Sequence, residues 1–334
     1  MAVSYSIIIV NYHATSLVID AIRSVGQFSK DVDYEIIVVD NDSPDAGAER
    51  IREYFPAVRW VQMGYNAGFA RANNEGIRQS KGEVVLLLNP DVLVEGNAVQ
   101  RAYQRLVAST HIACGVQLLH TDRTPQISGN YFITGGINHL LPLPVLGKFL
   151  KWVGQSLSVK KTNLPEATTE VEVDWINGAF LMVKKQAIRE AGLLDEDFFL
   201  YAEEIEWCAR LRRQGSLCIY GDLHVVHLQG GTANEAFASS GQGYHNLFDS
   251  KGRQIMLSNF VRIRKQYGAG WFLLHLLFYL AELPLFLIAV LLSKAGARKN
   301  SYRLSQFRGY AANLAYLLGK SGTIVRNRPY FYKA

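Results

Sequence analysis

The segment YAEEIEWCARLRRQG, residues 201–215, carries three glutamates within four positions. At about 3.6 residues per helical turn, Glu204 falls in line with Trp207, Cys208 and Leu211, while Glu203, Glu206, Arg210 and Arg213 fall on the other side. Glu206 and Arg210 form an i,i+4 pair in the favourable order, an ordinary feature of a solvated helix face. Glu203 reads as a charge of that same face. Glu204 has no such reading. It belongs to the apolar stripe at the first turn and should point to the core or a cleft, where the helix N-terminus favours its ionised form. A shielded, ionised carboxylate suits general-base chemistry.

Further candidates sit where apolar runs stop. Asn89-Pro90-Asp91 follows three leucines. A carboxylate there can hold a divalent cation through hard oxygen ligands, and a plain turn is the competing reading. Asp40-Asn41-Asp42-Ser43 closes another run. One of Asp40 and Asp42 can accept from a pyrimidine N–H, and one can cap a helix that begins near Asp45. Tyr12 can stack on a base or fill the core. Asn66-Ala67-Gly68-Phe69-Ala70-Arg71 reads as a polar turn entering a helix, whose backbone N–H groups and Arg71 can face phosphates. His224 and His227, three apart in a strand pattern, send their rings to opposite faces. They are therefore not joint ligands. His227 can complete a metal site with Asp91 and a substrate diphosphate, and His224 reads as structural.

These residues need a scaffold, and the first 90 positions supply its rhythm. Residues 5–10, 35–39 and 84–88 are short unbroken apolar runs, which suit strands buried on both faces of a parallel sheet. Between them, residues 17–28, 45–54 and 67–80 show helical spacing. The alternation predicts an open α/β sheet with ligands at the carboxyl ends of its strands. Residues 121–169, with several Gly and Pro, read as long loops. Residues 171–229 form a second ordered block, and the Gly-rich stretch 230–244 reads as a mobile flap.

Of the 334 residues, 49% are hydrophobic and 19% charged, so a core is easily supplied and overall disorder is excluded. Cys114, Cys208 and Cys218 lie far apart, without metal-ligand spacing, which suits a reducing compartment. No basic n-region precedes the first apolar run, so no secretory signal is expected. Net charge is +6 but uneven. From Lys251 onward fourteen basic residues face the single acid Glu282, a net +13, which leaves the first 250 residues at −7. A basic tail on an acidic body points to an anionic surface. Residues 271–293, WFLLHLLFYLAELPLFLIAVLLS, make that surface a membrane rather than a nucleic acid. His275, Glu282 and Pro284 interrupt the run, and basic residues flank both ends. A re-entrant hairpin bent at Pro284, or a helix lying in the interface, therefore fits better than a simple span. A buried helical hairpin is the soluble alternative.

Taken together, SIIIVNY (6–12), EIIVVDNDSPD (35–45), NAGFARANNEGI (66–77), GEVVLLLNPDV (82–92), residues 177–215 and HLQGGT (227–232) resemble the family 2 glycosyltransferases of the GT-A fold, in particular the bacterial rhamnosyltransferase-like branch. The likeness covers roughly residues 4–235. It implies a Rossmann-like, mostly parallel nucleotide-binding sheet with helices on both faces over residues 1–245. A basic, helical, membrane-associating region follows over 246–334. It further implies nucleotide-sugar contacts at Tyr12, Asp40, Asp42, Asn66, Gly68, Arg71, Asn89, Asn177 and Gly178, and Mg²⁺ or Mn²⁺ at Asp91 and His227. Glu204 would be the base and Glu203 a residue that orients the site. The family's EDxD reads Glu203-Glu204-Ile205-Glu206 here, so a glutamate stands where an aspartate is usual. The implied reaction is inverting sugar transfer from a dTDP- or UDP-sugar, with rhamnose as the sugar the branch suggests, to a lipid-linked glycan on the cytoplasmic side of a bacterial inner membrane rich in anionic lipids. A nucleotidyltransferase and a non-catalytic glycan-binding protein are the rival readings.

Overall fold

A computed structural model describes residues 3–28, 33–131, 137–157, 159, 163–228, 237, 239, 246–295 and 302–334. The chain divides into two compact units. The first comprises Met1–Phe132, Thr162–Phe199 and Glu203–Thr232, and the second Ile133–Lys161, Leu200–Ala202 and Ala233–Ala334. The stretch 230–244, read above as a flap, lies outside the described residues apart from 237 and 239.

The first unit opens with β1 (Tyr5–Asn11), α1 (Thr15–Phe28), β2 (Tyr34–Asp40), α2 (Gly47–Tyr54), β3 (Arg59–Gln62), α3 (Gly68–Gln79) and β4 (Val84–Leu88). The βαβ rhythm of the sequence is therefore present, and β3, β2, β1 and β4 lie side by side and parallel. Then come β5 (Val92–Val94), α4 (Ala98–Ala108), β6 (Ala113–Leu119) and the short β7 (Gly129–Asn130). After α5 (Leu146–Ser156), which belongs to the second unit, the chain returns through β8 (Asn163–Leu164), β9 (Glu170–Val173), β10 (Trp175–Ile176), β11 (Phe180–Lys184), α6 (Lys185–Ala191), α7 (Glu203–Leu211) and β12 (Leu217–His227).

The main sheet runs β3-β2-β1-β4-β11-β6-β12-β5, with β9 also on β12. The mostly parallel arrangement holds only for its first half. Strand β11 lies antiparallel to β4 and β6, and β5 and β9 lie antiparallel to β12, so the second half is mixed. The βαβ rhythm stops at β4, and the strands after it arrive by other connections. Alternation along the strands builds two cores. Ile7, Ile9, Val38, Leu86 and Leu88 pack with Val25 and Leu106 on one face. Ile8, Ile37, Val39, Val85 and Leu87 pack with Trp207 and Leu211 on the other. Both faces are covered, which is why these strands read as unbroken apolar runs.

In the second unit, α8 (Ser250–Tyr267), α9 (Ala269–Ala295) and α10 (Leu304–Arg326) pack together. Asp249 caps α8, accepting from Gly252 N at 2.9 Å. The helix α5 also lies here, within the stretch read from sequence as loops. Its capping partner is remote. Glu282 on α9 accepts from the backbone N–H of Val145 at 2.5 Å and Leu146 at 3.0 Å. That carboxylate thus satisfies first-turn donors that α5 leaves open.

No hairpin forms at Pro284, because α9 continues through it. A proline removes one helical hydrogen bond, but Phe286, just beyond it, is held edge-on against the rings of Tyr302 and Tyr310. The polar interruptions of the apolar run also find places. Phe272, His275, Tyr279, Glu282, Phe286 and Val290 are all buried along one stripe. The opposite face, with Leu273, Leu277, Leu285, Ile288 and Leu292, is exposed and apolar. Among the described residues, residues 269–293 form one helix long and apolar enough to cross a membrane by length and composition.

Candidate active site

The ends of β1 and β2 are tied together by side chains. Asn11 Nδ2 donates to Asp40 Oδ1 at 2.8 Å, while Asp40 Oδ2 accepts from Ser43 N at 3.0 Å and Gln62 Nε2 at 2.7 Å. Asp40 is fully buried and Asp42 is exposed, with φ 74°. Neither acid caps the following helix. The N-cap of α2 is Ala46, with no side-chain cap. Asp40 closes the turn at Ser43 instead, because its oxygen meets that N–H three residues on. Tyr12 is half-buried beside His13, ring centroids 4.4 Å apart, and is not in the core.

The turn before α3 is joined to this corner. Asn41 Oδ1 accepts from Ala67 N at 2.7 Å, and Asn66 Oδ1 accepts from Asn41 Nδ2 at 3.1 Å and from Gly68 N at 3.2 Å. Gly68 has φ +75°, and a Cβ there would stand 2.2 Å from the Phe199 carbonyl oxygen, so no side chain fits. Phe69 N donates to that same carbonyl at 2.8 Å. Arg71 Nε donates to the Glu196 carbonyl at 3.0 Å. Asn74, which the sequence does not single out, is buried and exchanges two hydrogen bonds with the Leu194 backbone.

At the end of β4, Asn89 N donates to Ala179 O at 3.0 Å and Asn89 O accepts from Val92 N at 3.2 Å, a tight turn that presents Asp91. The turn reading and the ligand reading of this motif are therefore compatible. Asp91 Oδ1 lies 3.4 Å from His227 Nε2, and Leu228 N donates to Asp91 O at 2.9 Å. His224, on the other face of β12, is exposed.

His227 is itself held by Gln126, another residue the sequence does not single out. The Gln126 NH₂ donates to His227 O at 2.7 Å and Leu119 O at 3.2 Å, so its oxygen must be the atom 2.9 Å from His227 Nδ1. Nδ1 of the neutral ring then carries the proton, and the Nε2 lone pair faces Asp91. One carboxylate oxygen and one imidazole lone pair, fixed by an outer hydrogen bond, are a donor set that suits Mg²⁺ or Mn²⁺ when a diphosphate completes it. Among the described residues no group of three or more His, Cys, Asp and Glu forms a fuller cage.

All three glutamates of α7 are buried, which corrects the solvated-face reading of Glu203 and Glu206. Arg210 binds Glu206 in a bidentate pair, with Nε 2.8 Å and NH2 2.8 Å from its oxygens, and also donates to the Ala191 and Leu193 carbonyls. The helix face that looked solvated is covered by the loop after α6. Glu203 has Oε2 buried without a hydrogen-bond partner. Burial, and secondarily the charge of Glu204, push its carboxyl well above the usual range. Glu204 shares the buried stripe with Trp207, Cys208 and Leu211. Tyr201 and Ala202 enter α7 with φ of 71° and 68°, a conformation unusual for residues with side chains. A Cβ on Gly178 would lie 3.6 Å from Glu204 Cβ and Cγ and 3.7 Å from Phe69 Cζ. Asn177 N donates to Ser128 O at 2.9 Å and its Nδ2 to Ile127 O at 3.2 Å.

The contacts therefore close into one circuit. From Asn41 they run through Asn66, Gly68 and Phe69 to Gly178 and Glu204. From Ala179 they run through Asn89 and Asp91 to His227, Gln126 and back to Asn177.

Residues 6–157 match the family described as glycosyl transferase family 2. The chain is 28% identical over 220 residues to the low-salt glycan biosynthesis hexosyltransferase Agl10 of Haloferax volcanii, covering 63% of this chain and 62% of that protein. It is 26% identical over 208 residues to the N-acetylglucosaminyl-diphospho-decaprenol L-rhamnosyltransferase of Mycobacterium tuberculosis, covering 58% and 66%. These matches thus span less than two thirds of each relative's length, 62% and 66%. Its fold is similar to that of the mannosyltransferase PcManGT from Pyrobaculum calidifontis, solved with GDP-Man and Mn²⁺. That similarity has a TM-score of 0.53 at 16% identity, over 98% of this chain and 88% of the other. In sequence over residues 6–157 and in its GT-A fold, this chain is similar to the glycosyl transferase family 2 proteins and is rhamnosyltransferase-like.

Proposed function

We propose that the protein transfers a sugar, rhamnose being the leading candidate, from a nucleotide-sugar to a hydroxyl of a lipid-linked glycan, with inversion at the anomeric carbon. The observation that carries this reading is the closed circuit linking Asn41, Asn66, Gly178, Glu204, Asn89, Asp91 and His227. It gathers a nucleotide corner, a metal pair and a shielded carboxylate in one unit.

In this reading Tyr12 stacks on the base and the exposed Asp42 supplies an acceptor for its N–H, while the buried Asp40 holds the corner in place through Asn11, Ser43 and Gln62. Gly68 lets the chain pass close to Phe199 at the donor corner, its own N–H being taken by Asn66, and the Arg71 guanidinium supplies positive charge toward the phosphates. Asn89, Asn177 and Gly178 border the transferred sugar, and the absence of a side chain at Gly178 leaves room beside Glu204. A divalent cation at Asp91 and His227 would supply charge neutralisation for the departing nucleoside diphosphate. Glu204 takes the proton of the acceptor hydroxyl as that oxygen attacks opposite the leaving group. The raised pKa of Glu203 beside it, from burial and the neighbouring carboxylate, favours Glu204 as the charged member of the pair. The donor is read as a dTDP- or UDP-sugar, and a lipid-linked acceptor is suggested by the name of the mycobacterial relative, an N-acetylglucosaminyl-diphospho-decaprenol L-rhamnosyltransferase.

The exposed apolar face of α9 and the +13 charge from Lys251 onward support binding at an anionic membrane surface, the cytoplasmic face of the inner membrane in a bacterium. The test of the chemistry is Glu204→Gln. Transfer should fall by about 10²–10⁴-fold, the usual contribution of a general base, while donor affinity with Mn²⁺ stays the same. Full transfer activity in that variant would remove Glu204 from its role.

A further inference from the structure

We propose that α5 is a second membrane-contacting element, an interfacial helix that beds its aromatic face in an anionic lipid surface next to α9. This rests on the membrane reading of α9 given above.

The eight most exposed large apolar side chains among the described residues fall in two places. Leu277, Ile288, Leu291 and Leu292 are on α9. Phe149, Trp152, Leu157 and Val159, at 56%, 63%, 71% and 64% exposure, are on α5 and just past its end. Scattered exposed apolar residues need no explanation, but this concentration on two helices of one unit does.

The two helices are joined. Glu282, midway along α9, caps the start of α5, Tyr302 OH donates to Pro144 O at 2.5 Å, and Lys148 Nζ stands 4.2 Å from the Tyr302 ring centroid. This explains a carboxylate in the middle of an apolar helix. It fixes where α5 sits and stays off the apolar outer face of α9.

The chemistry of the exposed face of α5 selects the partner. Phe149 and Trp152, ring centroids 6.0 Å apart, share it with Lys148, Lys151, Gln155 and Ser156. A protein partner would favour an apolar patch with charges only at its edge. Tryptophan beside lysine on a short helix, with no acid in residues 145–159, matches the boundary between acyl chains and anionic headgroups.

The test places an environment-sensitive fluorophore at Ser156→Cys on α5 and, separately, at Leu277→Cys on α9 of the full-length protein. Cys114, Cys208 and Cys218 are buried, so mock-labelled wild type gives the background. On vesicles containing phosphatidylglycerol, both labels should shift to the blue and be quenched by lipid-borne nitroxide. A response at 277 without one at 156 overturns the proposal and leaves α9 as the anchor. Silence at both sites overturns the proposal and the membrane reading together. A shift at 156 that follows protein concentration in the absence of lipid assigns the face to a second copy and also overturns it. Lys151→Gln should weaken partitioning onto the anionic vesicles about fivefold, from the usual worth of one basic residue at such a surface, without changing binding to neutral vesicles. Equal binding of variant and wild type to anionic vesicles counts against the proposal.

Discussion

Replacing Gln126 by methionine keeps the length of the side chain and removes both of its hydrogen-bonding groups. The His227 Nδ1 proton and the His227 carbonyl, held at 2.9 Å and 2.7 Å, lose their buried partners. Each orphaned group costs about 1–3 kcal/mol, so the variant should lose about 2–6 kcal/mol of stability. In a unit of this size that lowers Tm by about 4–24 °C. The more specific effect is on the metal pair. Without an acceptor at Nδ1 the ring is free to take the other tautomer, which puts the proton on Nε2 and turns the lone pair away from Asp91. Loss of such an outer hydrogen bond typically weakens metal binding 10–100-fold. Titration calorimetry of Mn²⁺, with UDP or dTDP present, measures this at a temperature where both proteins are folded. Gln126→Glu, which keeps an acceptor for Nδ1–H, should retain most of the affinity. Gly82→Ala, destabilised because its added Cβ would stand 2.6 Å from the Tyr5 and Ser6 backbone, controls for stability loss alone. If Gln126→Met binds Mn²⁺ within twofold of wild type, His227 is not oriented by Gln126 or does not hold the metal.

Other outcomes follow from the same site. Glu203 has a raised pKa in the folded protein, so the stability tied to its proton is full below its unfolded value and is lost as pH rises through the folded one. Glu203→Gln should therefore gain Tm relative to wild type as pH rises above about 4.5, and a constant difference between pH 4 and 8 would contradict this. Arg210→Ala leaves Glu206 buried without its partner and should cost about 3–5 kcal/mol, read as a fall in denaturation midpoint. A loss below about 1 kcal/mol would make the pair a surface ornament. Tyr12→Ala should raise the donor KM with little change in kcat if the ring stacks on the base, and an unchanged KM would free Tyr12 from that role.

Much of this protein is local and periodic, and that part is legible in its sequence. Runs such as VVLLL mark strands covered on both faces, and the helical spacing of residues 67–80 marks α3 to within a residue at either end. The polar residues where those runs stop, at Asp40 and at Asn89 with Asp91, mark the carboxyl edge, and the position of Glu204 on its apolar stripe follows from helical geometry. What a side chain meets across the fold is another matter. The burial of Glu206 depends on the chain around Ala191 and Leu193, thirteen or more residues earlier, and no helical wheel contains those residues. Gln126 and His227 are 101 residues apart, Val145 and Glu282 are 137, and neither pair leaves a pattern along the chain. Periodicity encodes which face of an element is apolar, because that depends only on spacing along one backbone. The orientation of His227, the raised pKa of Glu203 and the place of Glu282 depend on the groups that burial brings against them, so only the tertiary structure decides them.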